Sequence, residues 1–451
     1  MRIAICSDIY YPMTNGVAVF AHNLANGLTR LGHEVLVVSP SFDGKFHIDD
    51  EGGVKVAHLT SARFPFYPDQ INKVPEKKEV LGVEIPRVAY RHGIWWSVNP
   101  WFEVEKVLND FKPEVIHLQT AETIALAVRS YVRKYNVPLV ATNHAYPDNV
   151  TGQFKILKPV KKVTDKAVNV YMTSFLKHAE YATMPTEMAI EDLTPKNPKR
   201  FKVPIEALSN GVDLSAYKPG RPDVKVLEKY GVVDGFRKGE RRPLRVLYVG
   251  RVDPEKSISY VVEAFSKVLK KVPEVEMVVV GDGTDLNHLK DLAERLGLSG
   301  SLCDIETADS AGNKVVNSSD GRIKFLGRVL PPDLNEIYRT GTVFVTASET
   351  ETQGIVLIEA AATGLPLIAV DKGAVSELCQ DGVNGILCRP GGDVDGIAEA
   401  MVSILSDAQL REKYSAASIE IAKKHDLKRT LKRFLEIYEE AIELKNGGEA
   451  V

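Results

Sequence analysis

Short apolar runs alternate along this chain with stretches of helical spacing, and that alternation restricts the fold more than any other feature. In the first half RIAICS, EVLVVSP, VKVAHL, VIHLQT, LVATNH and YATMP read as strands, with VAVFAHNLANGLTRLG and TIALAVRSYVRKYN as the clearest helices between them. RVLYVG, EMVVVG, IKFLG, VFVTAS, PLIAV and GILCRP continue the series. Strands that are apolar at nearly every position must be covered on both faces, and a helix between two of them makes the connection of a parallel sheet. An α/β fold of parallel sheets flanked by helices is expected. At 451 residues the chain is too long for one ordinary core. The turn signal Asn210-Gly211 and the Pro-rich, charged run from Pro219 to Pro243 place a domain boundary near FKVPIEALSNGVDL. No internal repeat is seen.

Composition excludes several classes. The apolar fraction of 44% and charged fraction of 26% are those of a globular chain without bias towards disorder. No apolar run approaches the roughly 20 residues needed to span a bilayer. The first strand starts at Arg2 with no signal-peptide pattern before it, so a cytoplasmic location is expected. A net charge of −3 lacks the basic surplus of a nucleic-acid binder, although the first half is slightly basic and the second acidic. Cys6, Cys303, Cys379 and Cys388 have no CxxC spacing, which argues against a zinc site or disulfide framework built on them.

Ligand chemistry is most legible in VFVTASETETQGIVLIEAAATGLPLIAV, a buried strand and a short helix ended by Gly364 and Pro366. Open α/β sheets bind ligands at such strand-to-helix turns. Gly354 allows close approach, and the amides of Gly354, Ile355 and Val356 are donors for a phosphate oxygen. Glu351 and Glu359 accept when ionised, which suits the hydroxyls of a sugar and a ribose. Two carboxylates beside a phosphate need cations, and LRVLYVGRVDPEKSISYVVEAF supplies Arg251 at a strand end with Lys256 five residues on, a pairing suited to a diphosphate.

GRVDPEK followed by ETQGIVLIE resembles glycosyltransferase family 4, retaining enzymes of the GT-B fold that use nucleotide-diphosphate sugars. The likeness covers nearly the whole chain, from MRIAICSDIYYPMTNGVAVFAHNLANGLTRLGHEVLVVSP through IHLQT, LVATNHAYPDNV and ALSNGVDLSAYKP to IKFLGRVLPPDLNEIYRTGTVFVTASE and GILCRPGG, in the family order. It implies two Rossmann-like domains facing across a cleft. Residues 1–205 would form the acceptor side, 206–426 the nucleotide-sugar side, and a C-terminal helix at about 427–446 would pack back on the first domain. Backbone groups around Arg328 and Val329, after IKFLG, would read the base.

The first domain offers two further candidates. Gly16, in the loop DIYYPMTNGV, would let the first amides of a helix reach a diphosphate or sugar, and the family position matches. The loop is not GxGxxG, which disfavours an NAD-dependent oxidoreductase. His144 ends LVATNH, where an imidazole can orient a hydroxyl or contact the transferred sugar. His117, within VIHLQT, reads better as a packing residue. Asp393-Val394-Asp395 is a DxD-like match, but it follows GILCRPGG, where loop and cap roles fit better. With Arg251, Lys256 and two helix N-termini to stabilise a leaving diphosphate, no metal is required. His144, Arg251, Lys256 and Glu351 are the expected catalytic set, with retention through same-face attack implied by the resemblance.

The acceptor is read from composition. Trp95, Trp96 and Trp101 cluster in GIWWSVNPWF, with FPFYP at 64–68 and lysines at 155, 158, 161, 162, 166 and 177 interleaved with apolar residues. This suits an anionic membrane surface. ATNHAYPDN and TETQGIVLIEAA look most like the branch that glycosylates diacylglycerol or phosphatidylinositol lipids. A membrane glycerolipid acceptor and a peripheral site on the inner face of the cell membrane are therefore expected. A soluble or polysaccharide acceptor shares every donor-side motif, a nucleotide-sugar epimerase is a weaker alternative, and a binding protein with a decayed site is disfavoured because all four donor-side residues are present. The Ser-, Asp-, Asn- and Gly-rich segment 299–322 reads as a surface loop or small hairpin.

Overall fold

The computed structural model describes residues 1–13, 15–63, 79–80, 83–84, 95–144, 161–193, 202–233, 235–236, 239–240, 242–298, 302–304, 307–308, 314–315 and 322–447. FPFYP, the lysines at 155 and 158, and most of 299–322 lie outside them. The chain divides into two compact units, Met1–Gly211 with Lys428–Val451, and Val212–Leu427. The division falls inside FKVPIEALSNGVDL, six residues beyond position 205.

In the first unit the strands are β1 (Arg2–Cys6), β2 (Glu34–Pro40), β3 (His47–Glu51), β4 (Val54–Leu59), β5 (Ser61–Arg63), β6 (Glu79–Val80), β7 (Val83–Glu84), β8 (Trp95–Ser97), β9 (Val115–Leu118), β10 (Leu139–Thr142), β11 (Tyr181–Met184) and β12 (Ile205–Ala207). Eight of them form one sheet in the order β12-β11-β10-β9-β1-β2-β4-β3. All its pairings are parallel except that of β3 with β4. That antiparallel edge is an addition to the parallel sheet expected. HIDDE has one apolar residue and is mostly exposed, so no periodicity announced it. β1 lies between β2 and β9, so the chain order reverses there. The carboxyl ends of β1 and β9 therefore flank a switch point, the place where such sheets bind ligands.

The helix Leu427–Gly447 completes this unit. Its Phe434 packs against Phe20 and His117, and Tyr438 lies beside His117, with all four side chains buried. Arg433 pairs with Glu206 at 2.7 Å and with Glu440 at 2.7 Å.

The second unit contains β13 (Arg245–Val249), β14 (Glu276–Val280), β15 (Leu302–Asp304), β16 (Thr307–Ala308), β17 (Lys314–Val315), β18 (Ile323–Phe325), β19 (Val343–Val345), β20 (Leu367–Val370) and β21 (Gly385–Cys388). Seven form a parallel sheet in the order β15-β18-β14-β13-β19-β20-β21. Segment 299–322 thus adds an edge strand, β15, as well as the antiparallel pair β16–β17, which is more than the loop or hairpin expected. Alternation along β13 sends Leu247 and Val249 into a core with Tyr338, Leu357 and Ile358, and Val246 and Tyr248 into another with Ile258, Phe265 and Met401. Helices cover both faces, and the order reverses between β13 and β19. The Pro219–Pro243 run carries the helix Val224–Lys229, whose Leu227 belongs to the first of these cores.

Candidate active site

At the switch point of the second unit, β13 and β19 run side by side and deliver their following turns together. β13 leads through Gly250 and Arg251 to a 3-10 turn, Pro254–Lys256, and the helix Ile258–Val268. β19 leads through Ser348 and Glu351 to the helix Ile355–Ala362. Lys256 Nζ donates to Glu351 Oε1 at 2.6 Å and approaches Ser348 Oγ at 3.5 Å, with the lysine and glutamate side chains only 14% and 18% exposed. Burial opposes ionisation of Glu351, but Lys256, Ser348 and Arg251 outweigh it and hold the carboxyl below its ordinary range. The Arg251 guanidinium contacts Asp253 and Glu255 of its own loop.

Gly354 caps the helix Ile355–Ala362 in the left-handed region at φ 79°. A Cβ there would lie 2.5 Å from Leu357 Cδ1, so the turn requires glycine on both conformational and steric grounds. Among the described residues, the amides of Gly354, Ile355 and Val356 meet no acceptor, which leaves three donors in the turn that carries Glu351. Glu359 sits one turn along this helix, buried. Tyr338 donates to its Oε2 at 2.7 Å. Burial raises its carboxyl to about 7, against the hydrogen bonds of Tyr338 and Tyr217. Arg328 and Val329 follow β18, half-buried and buried.

The loops after β13, β14 and β18 are joined by backbone hydrogen bonds: Val252 donates to Asp282 at 2.9 Å, Asp285 to Val252 at 2.9 Å, and Gly281 to Gly327 at 2.8 Å. A Cβ at Gly281 would lie 1.8 Å from the Gly250 oxygen, and one at Gly283 1.9 Å from the Val252 oxygen. These glycines, overlooked in the sequence, let the cation-bearing loop lie against its neighbour; the tripeptide GDG after EMVVV was the available signal. Asp393 caps the helix Val394–Ser406 by accepting from the Gly396 amide at 3.1 Å, and Asp395 pairs with Lys267 at 2.6 Å.

In the first unit Gly16 opens the helix Gly16–Arg30, capped by the Asn15 side chain, which accepts from the Ala18 amide at 3.0 Å. His144 follows β10, is buried, and its Nε2 donates to Gln119 Oε1 at 2.7 Å. Among the described residues its Nδ1 and the Gln119 Nε2 have no hydrogen-bond partner, and burial lowers the imidazole to about 3, so the ring is neutral. Gln119, from IHLQT, is another residue overlooked in the sequence. His117 is spoken for: it bonds Tyr438 Oη and Thr142 Oγ1, each at 2.7 Å. Asp8, also at this switch point, is buried and raised to about 7 by burial and Glu122, opposed by hydrogen bonds from Ile124, Thr123 and Thr120.

The sequence-named residues thus fall into two groups, Gly16 and His144 in the first unit and Arg251, Lys256, Arg328, Val329, Glu351, Gly354, Ile355, Val356 and Glu359 in the second.

Two family models match the chain, one described as Glycosyltransferase Family 4 over residues 14–216 and one as Glycosyl transferases group 1 over residues 243–407. An alpha-monoglucosyldiacylglycerol synthase of Streptococcus pneumoniae is 26% identical over 93% of this chain and 83% of its own. A phosphatidyl-myo-inositol mannosyltransferase of Mycolicibacterium smegmatis is 24% identical over 97% and 94%. The crystal structure of Anabaena Alr3699/HepE with UDP-glucose superposes with a TM-score of 0.67 at 17% identity, covering 97% of this chain and 99% of that one, which establishes the GT-B fold. Together the two matched segments span most of the sequence, and the chain belongs to glycosyltransferase family 4 as a hexosyltransferase.

Proposed function

We propose that this glycosyltransferase moves a hexose from a nucleotide-diphosphate sugar to a hydroxyl of a membrane glycerolipid, with retention and without a divalent ion. The observation that carries the donor side is the Lys256–Glu351 contact beside the open amides of Gly354, Ile355 and Val356 at the β13/β19 switch point. A diphosphate placed there meets one ammonium and a helix N-terminus. Arg251, held by Asp253 and Glu255, adds a second cation. These charges offset the negative charge that develops as the bond from the anomeric carbon to the β-phosphate oxygen breaks, the work a metal ion would otherwise do. The acceptor oxygen forms its bond on the same face, and its proton passes to the leaving phosphate. Glu351 accepts from the sugar, Glu359 from the ribose, and the backbone at Arg328 and Val329 reads the base. In the first unit, His144 Nδ1 suits a hydroxyl donor, and Gly16 leaves the start of its helix accessible to a phosphate or sugar.

The lipid acceptor is supported by the relatives' activities and by the surface of the first unit, where Val98, Trp101 and Phe102 are 52%, 45% and 76% exposed and Trp96 is exposed beside them. Trp95 instead packs towards Phe42. Side chains of this kind insert into headgroup regions, and the exposed Lys166 and Lys177 suit anionic lipid. Screening UDP- and GDP-sugars for nucleotide-diphosphate release, with and without lipid extract and with a chelator throughout, tests the reading. Release stimulated by lipid, together with binding to anionic liposomes at low salt, is expected. Transfer only to a soluble sugar, with no liposome binding, would move the assignment to the soluble-acceptor alternative.

A further inference from the structure

The antiparallel edge of the first unit brings together a second set of groups that sugar transfer does not use. His47 on β3 and His58 on β4 are direct partners in the strand pairing, and Asp49, two residues along β3, shares the face of His47. Their rings stack with centroids 4.5 Å apart. Asp49 Oδ2 lies 3.5 Å from His47 Nε2 and 3.7 Å from His58 Nε2, and the three ligand atoms all fall within 4.8 Å of one another.

The proton positions matter as much as the distances. His47 Nδ1 lies 3.0 Å from the Lys45 carbonyl, an oxygen that can only accept, so that nitrogen carries the hydrogen and Nε2 keeps its lone pair. Histidines that ligate a metal through one nitrogen are oriented in this way through the other. The carboxylate of Asp43, 3.9 Å from His47 Nδ1, adds negative charge behind that ring.

We propose that His47 Nε2, Asp49 Oδ2 and His58 Nε2 bind one divalent transition-metal ion of the zinc class. Zinc–nitrogen bonds of about 2.0–2.1 Å in a tetrahedron set ligand atoms about 3.3 Å apart, so the observed 3.5 and 3.7 Å need only a small contraction, while the two imidazole nitrogens, within 4.8 Å of each other, must close by at most about 1.5 Å. Two imidazoles and one carboxylate suit zinc, copper or nickel better than magnesium or calcium, which take oxygen ligands. A fourth position is left for water. The ion joins β3 to β4 across the outermost pairing of the sheet, where Asp49, Asp50 and Glu51 otherwise place three adjacent acidic residues on an exposed edge.

The test uses the full-length chain, stripped with a chelator and dialysed against buffered Zn²⁺, with bound metal counted by atomic emission and affinity measured by titration. Wild type should retain one more zinc per chain than His47→Ala or Asp49→Asn, and either substitution should weaken that binding by at least about tenfold. Asp49 and His47 reach solvent, so neither change threatens the core, and both variants should release nucleotide diphosphate at the wild-type rate. Zn²⁺ should raise the melting temperature of wild type and not that of Asp49→Asn. Equal zinc content in wild type and both variants, or no zinc retained by wild type, would overturn the proposal.

Discussion

Replacing Lys256 by Met separates two roles that the Lys256–Glu351 contact combines. The pair is 2.6 Å long and mostly shielded from water, so removing the ammonium leaves a buried carboxylate facing only Ser348 and the more distant Arg251. Breaking a fully buried pair costs about 3–5 kcal/mol; the residual exposure of both side chains places this case at about 2–3 kcal/mol. Glu351→Gln alone leaves the ammonium unpaired at a similar cost. The double variant, with neither charge, should recover to within about 1 kcal/mol of wild type, giving a coupling of about 3–5 kcal/mol. Activity should behave differently. Lys256→Met should slow donor cleavage by about 10²–10³-fold, as for the loss of one preorganised donor, and the double variant should recover none of it. Urea midpoints at constant slope and nucleotide-diphosphate release measured on the same preparations give both quantities. A double variant with near wild-type turnover, or a Lys256→Met variant within about 0.5 kcal/mol of wild type, would refute the reasoning.

Two further outcomes are expected. The Glu359 carboxyl rises from its ordinary value of 4.5 to about 7 in the folded protein, so between those values the native state binds more protons than the unfolded chain and stability falls as pH rises. Glu359→Gln should remove a loss of about 3 kcal/mol across that window, and parallel stability curves for variant and wild type from pH 5 to 8 would contradict the assignment. Gly354→Ala should cost about 1–2 kcal/mol because of its positive φ and the clash with Leu357 Cδ1, and it should raise the KM for the donor more than it lowers kcat. An unchanged KM would mean that the turn does not meet the donor.

The alternation of strands and helices made both sheets legible, since strands such as RVLYV are buried at every position. β3 was hidden for the opposite reason: an exposed edge strand can be polar throughout, and its pairing depends on β4 rather than on its own residues. In the site, Lys256 and Glu351 were legible as charge types at strand ends, but not as partners, because the order β13-β19 that joins them is a property of the sheet. Glu359 was legible as an acceptor. That Tyr338, from the helix Asp333–Tyr338, already occupies one of its oxygens was not, and neither was the pairing of His144 with Gln119, which links the ends of neighbouring strands β10 and β9.

The return of residues 428–447 to the first unit bears on the order in which the protein is made. On the ribosome, every residue of Val212–Leu427 emerges before Phe434 and Tyr438, so the second unit has its whole sequence available while the first still lacks a wall. Until that helix arrives, Phe20 is uncovered and His117 Nδ1 has no Tyr438 hydroxyl to bond. The half of the molecule synthesised first is therefore the half finished last.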